Sequence, residues 1–149
     1  WEQQWSPDGK KLWAVVAPAY GKFTVPCNDK PWADTFPVVS DLVLSPAGDR
    51  AAALACHANA DYRVVVDGVA WQGLWDMAWK PVFSPDGRHA AALVQTGDTF
   101  TCLVDGKPVG ESFSRAWAPF FSPDSASVLL RGIQNDKLVR MVLPLKDIF

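Results

Sequence analysis

Few residues in this chain are spaced to do chemistry. Cys27, Cys56 and Cys102 are odd in number and far apart, which suits neither a disulfide framework nor a metal knuckle. There is no Cys-x-x-Cys-His to attach a c-type haem and no cysteine cluster to hold an iron–sulfur centre. His57 and His89 are the only histidines, and His57 beside Cys56 offers too few ligands for zinc. Gly110-Glu111-Ser112-Phe113-Ser114 lacks the final glycine of a nucleophile elbow. Gly9-Lys10, Gly21-Lys22 and Gly106-Lys107 lack the spacing of a phosphate-binding loop. The expectation is a protein that is not an enzyme, with no catalytic residue, metal ligand or cofactor, and with Cys27 and Cys102 serving as small apolar residues in strands.

Two further residue sets recur. Asp8, Asp86 and Asp124 follow a Ser-Pro, while Asp67 and Asp105 precede a glycine. Calcium would need carboxylates converging on one ion, whereas these are dealt out one at a time, so they are expected to bond their own turn backbones. Eight tryptophans are present, of which Trp71, Trp75 and Trp79 fall every fourth residue. Packing between sheets accounts for such residues, but an indole is also favoured where a partner docks. Trp71, Trp75 and Trp79 are the candidate partner-binding residues.

The element that positions all of these is a repeat. Trp5-Ser6-Pro7-Asp8-Gly9 returns as Leu44-Ser45-Pro46-Ala47-Gly48, Phe83-Ser84-Pro85-Asp86-Gly87 and Phe121-Ser122-Pro123-Asp124-Ser125, with serines 39, 39 and 38 residues apart. In the same phase run Asn28-Asp29, Asp67-Gly68 and Asp105-Gly106, followed by Trp32, Trp71 and Val109. Each unit reads as four short strands. An inner strand, as at 80–83 or 118–121, ends in the Ser-Pro-Asp-Gly turn, where Pro presets φ and Gly accepts a positive one. A continuous apolar second strand follows (12–16, 51–55, 90–94, 128–130), as expected when both faces are buried. The third strand (23–27, 62–66, 100–104, 138–142) is rich in aromatic and β-branched residues, and Asp-Gly then turns it into an outer fourth strand such as 69–75.

Tandem units of this length and pattern predict an all-β fold of β-propeller repeats, four blades of four antiparallel strands spanning 1–36, 37–75, 76–113 and 114–149. Residues 143–149 are expected to form a truncated outer strand of blade four. The chain opens at Trp1, and a fragment of a larger propeller, or half of an assembled one, is expected, with open blade edges that invite self-association.

Composition narrows the partners. With 14 basic and 16 acidic residues and 49% hydrophobic content, the chain is neither a disordered tail nor a basic nucleic-acid module. Pro, Asp or Lys interrupts every apolar run before it reaches membrane-spanning length.

The Ser-Pro-Asp-Gly turn followed by an apolar strand resembles the TolB-type propeller repeat, similar in shape to the WD40 class. A narrower resemblance lies in Val66-Asp67-Gly68-Val69-Ala70-Trp71, Val104-Asp105-Gly106-Lys107-Pro108, Asn28-Asp29-Lys30-Pro31-Trp32 and 79–87. These are similar to the tryptophan-rich subunit of the Tmc transmembrane redox complex of sulfate-reducing bacteria. The match covers about residues 5–121; blade four departs from it, with Ser125 for Gly. The resemblance implies a cofactor-free accessory subunit in an electron-transfer complex, cytoplasmic and peripheral to the inner membrane, whose partners are the other protein subunits. A ligand- or peptide-binding propeller in the periplasm, and the propeller of a larger peptidase, are the alternatives.

Overall fold

The structure is a computed structural model that describes residues 1–57 and 61–149. Its strands fall into four successive antiparallel sheets, each built from one sequence repeat: these are β-propeller blades. Blade one runs Gln4–Trp5, Leu12–Trp13, Pro26–Cys27 and Lys30–Pro31, with an extension in which Val16–Ala19 pairs with Lys22–Thr24. Blade two is Val38–Leu44, Ala51–His57, Asp61–Val66 and Val69–Ala70. In blade three, Met77–Ala78 and Val82–Phe83 both pair with Ala90–Thr96, followed by Thr99–Val104 and Lys107–Phe113. In blade four, Arg115–Ala116 and Phe120–Phe121 pair with Ser127–Gln134, which pairs with Lys137–Pro144.

The inner strands depart from the expected continuous runs at 80–83 and 118–121. Each is interrupted three to five residues before the turn serine, in blade two by a register shift within Val38–Leu44. Pro81 and Pro119, with no N–H to give the ladder, lie at the breaks in blades three and four. Glu2 and Asp41 take left-handed φ values of 52° and 56° at the equivalent places in blades one and two.

The second strands of blades two and three are buried on both faces, so their alternation feeds two cores at once, whereas those of blades one and four alternate buried and half-buried residues. Ala51, Ala53 and Ala55 pack with Trp13, Val15, Val25 and Leu42 between blades one and two; Ala52 and Leu54 pack with Ala90, Ala92 and Val94 between blades two and three. Ala91, Cys102, Val104, Val128 and Leu130 fill the space between blades three and four. Alanine lets neighbouring sheets approach, and large side chains at the flanks fill the widening gap. Four blades thus share three apolar clusters among the described residues, and none joins the first blade to the last.

Blade four corrects one expectation. Residues 143–149 form no outer strand. Leu143 and Pro144 complete the third strand, and Leu145–Asp147 is a single 3-10 turn that seats Leu145 in the core. The chain then closes on Phe149, which stacks on His89 with ring centroids 5.4 Å apart and lies beneath the Lys107 ammonium at 5.0 Å.

Candidate interaction surfaces

One rim of the stack carries the turns. In blade one Ser6 Oγ donates to Asp8 Oδ1 at 2.6 Å, the same oxygen accepts the N–H of Lys10, and the N–H of Lys11 donates to Ser6 Oγ. The pattern repeats at Ser84, Asp86 and His89 and at Ser122, Asp124 and Ser127. Blade two has Ala47 where the others have Asp, and Asp49 takes over by accepting from Ser45 Oγ at 2.7 Å. The serine hydroxyl is the main reason that the carboxyls of Asp8, Asp49, Asp86 and Asp124 sit below their ordinary pKa.

A second ring lies beside it. Asn28, Asp67 and Asp105 each accept the N–H that opens the second strand of their blade, from Leu12, Ala51 and Ala90, at 2.8, 3.0 and 2.9 Å. The other carboxylate oxygen of Asp67 holds Arg50, which donates onward to the carbonyls of Gly87 and Arg88 in blade three; that of Asp105 lies 2.6 Å from His89 Nδ1. Asp8, Asp86 and Asp124 are therefore engaged in their own turns, as expected, whereas Asp67 and Asp105 bond not their own turn backbones but the start of the neighbouring second strand. Among the described residues no three His, Cys, Asp or Glu side chains lie close enough to share a metal. Cys102 is buried, and desolvation pushes its thiol up to about 12.

The structure places Trp71, Trp75 and Trp79 along one blade without bringing them together on an open surface. Trp71 lies over Gly106 of the next blade, as Trp32 lies over Gly68, and a Cβ on Gly68 or Gly106 would meet the indole at 3.0 or 3.2 Å. Trp75 is packed against the core between blades two and three, with Gly73 close against its ring and its Nε1 buried without a partner. Trp79 leans on Phe100 at 5.6 Å. All three are half-buried.

Two exposed tryptophans, Trp5 and Trp117, stand elsewhere, at the two ends of the stack. Trp5, 63% exposed, occupies the position of Leu44 and Phe83, which pack against the preceding blade. Trp1 and Tyr20 are exposed on the other side of blade one, where with Ala17, Ala19, Phe23 and Pro37 of blade two they border an open apolar groove of about 580 Å³. Blade four exposes Trp117, Phe120, Leu138 and Val142. The turns register the same asymmetry. Gly48 is buried against Ser6 and Pro7 of the preceding blade, whereas Gly9 has no atom within 4 Å of a notional Cβ; Ser6, Ser45 and Ser84 are buried, whereas Ser122 is partly open.

The end face of blade four also carries charge that the sequence reading did not single out. Arg131 stands directly opposite Arg140, in the positions held by Leu54 opposite Val64 and Leu93 opposite Cys102 in the preceding blades. Arg115, opposite Ile133, lies on the same face. The Arg131 guanidinium rests over Phe120 at 5.0 Å, and its buried Nε lacks a partner. Aligning the repeats exposes this substitution directly: two arginines replace apolar residues at otherwise core positions.

No family model matches the sequence, and no curated protein sequence matches it. Among solved structures, a protein assigned as TolB from Agrobacterium tumefaciens is 16% identical with a TM-score of 0.49, over 97% of this chain and 57% of that one. A protein assigned as a 6-phosphogluconolactonase from Bacteroides uniformis is 14% identical with a TM-score of 0.43, over 95% and 54%. The chain spans little more than half the length of each, and its own sheets carry the fold assignment.

Proposed function

We propose that this chain is a non-catalytic propeller scaffold that works by holding other proteins in place. The observation that supports this reading most is the contrast between a packed interior and two end faces that expose large aromatic and apolar side chains, Trp5 on one and Phe120, Leu138 and Val142 on the other. The turn-and-tryptophan resemblance of residues 5–121 extends the reading to an accessory subunit of a membrane-associated electron-transfer complex, with Trp71, Trp75 and Trp79 contributing to the partner contact. No described helix is long and apolar enough to cross a membrane. A photo-crosslinking residue placed at Trp5, Trp79 or Trp117 in the native host tests this reading. Covalent adducts with haem- or iron–sulfur-bearing subunits are expected. A chain that cross-links to nothing at any of the three sites would remove the scaffold reading, and adducts only with unrelated proteins would remove the redox assignment.

A further inference from the structure

We propose that the open edge of blade four accepts an extended strand from a partner polypeptide that places a carboxylate between two apolar side chains. This rests on the scaffold reading and names the chemistry of one contact.

The first evidence is backbone. In blades one and two, the third strand spends its outward-pointing groups on an outer strand. Phe23 exchanges both hydrogen bonds with Phe36, at 2.7 and 2.8 Å, and Tyr62 does so with Trp75, at 2.8 and 3.1 Å. The carbonyls of Val25 and Val64 accept from Trp32 and Trp71. Leu138 and Arg140 are the blade-four counterparts of these third-strand residues. In blade four Gln134 and Lys137 flank the two-residue Asn135-Asp136 turn, with φ of 47° and 61° at its two residues. Such a turn is closed by a hydrogen-bonded pair, and bonding then alternates along the hairpin. Leu138, Arg140 and Val142 therefore aim their N–H and C=O groups away from Ser127–Gln134, toward an edge that no described strand covers. An exposed row of this kind is a template for strand addition.

The second evidence is charge. Arg131 and Arg140 face each other on the outward surface, Arg115 is nearby, and none of the three has a carboxylate within ion-pair reach among the described residues. Like charges directly opposite one another are unfavourable in a sheet. Apolar residues flank the pair: Phe120, Leu129 and Val142 on one side, Ile133 and Leu138 on the other. An added strand puts the residue opposite Arg140 on this same surface, where a carboxylate bonds the arginines, and puts its neighbours two residues away beside Leu138 and Val142. Its alternate side chains turn toward an open groove of about 390 Å³ lined by Lys107, Pro108, Val109, Gly110, Leu143 and Ile148.

The test uses the 149-residue chain and two fluorescein-labelled peptides, Thr-Val-Thr-Glu-Thr-Val-Thr and its Glu-to-Lys counterpart, read by fluorescence anisotropy. The glutamate peptide is expected to bind at least about tenfold more tightly. Val142→Pro removes one edge N–H at a position not bonded within the hairpin, and should abolish binding while the thermal unfolding midpoint holds. Arg140→Glu should invert the preference toward the lysine peptide, which a merely destabilised blade would not do. Equal binding of the two peptides, binding that survives Val142→Pro, or no binding by the unaltered chain overturns the proposal. Two other results overturn it by naming a different occupant: a self-associated form that Val142→Pro dissolves assigns the edge to a second copy, and loss of peptide binding on restoring flanking coding sequence assigns it to the polypeptide itself. A chain that cross-links through Trp5 yet ignores both peptides would keep the scaffold reading and lose this one.

Discussion

Blade two and blade four descend from the same repeat but live in different surroundings. In blade two the second strand is pressed between two sheets, every side chain from Ala51 to Ala55 is buried, and its third strand is sealed by an outer one. Among the described residues blade four packs against a sheet on one face only. Toward blade three it presents Val128 and Leu130; away from it, Leu129, Arg131 and Ile133. The comparison teaches that the repeat specifies a blade's internal pairing, while the residues at a few alternating positions decide whether another sheet can stack on it. Two arginines in the place of Leu54 and Val64 make ordinary stacking on that face costly, because desolvated charges need partners.

Leu54→Ala strikes the interior side of this comparison hardest and should cost about 3 kcal/mol in denaturant unfolding, through lost burial and the cavity left behind. Gly48→Ala should cost about 2–3 kcal/mol, because its φ of +72° disfavours a side chain and the Ser6 backbone lies 2.7 Å from the new Cβ. Gly9→Ala isolates the first of these causes. Its φ is +68° with open space around it, so only about 1 kcal/mol is expected; equal losses at Gly9 and Gly48 would show that turn-on-turn contact between blades carries little. Arg131→Leu should change stability by less than about 1 kcal/mol in either direction, and a large loss would mean that the arginine holds blade four together.

The smallest effect is on acid stability. Asp8, Asp49, Asp86 and Asp124 have folded pKa values below the ordinary 3.8. Their contribution is therefore present above the unfolded value and lost as pH falls through the folded ones. The melting temperature should stay level from neutrality down to the ordinary carboxylate range and decline only below it. Because all four groups are exposed on the rim, the decline should be shallow; a sharp fall nearer neutrality would point to a different group.

Much of this architecture was legible before any coordinates. The turn serines, which recur in every blade, and the Asx residues and alanine-rich second strands, which recur in register in several, are local signals, so one unit checks another. The role of Asp49 was not legible, since it replaces a missing acid from two positions further along the same turn. Nor was the end of blade four: Leu143-Pro144-Leu145 continues the apolar pattern of a strand, and only the seating of Leu145 in the core turns the chain aside. Trp71, Trp75 and Trp79 show the limit of composition. Their spacing marks them out, but spacing alone does not separate an indole wedged over a glycine from one held ready for a partner.

The three apolar clusters are arranged in series, and this has a kinetic consequence. Even the longest side-chain hydrogen bond described, from the N–H of Leu42 to Glu2, bridges only 40 residues. Each hairpin can thus nucleate by itself and recruit its neighbour, as beads zip along a string, without waiting for the chain's two ends to meet. Amide protons in the middle sheets should exchange last and those of the terminal sheets first, with protection declining outward in both directions.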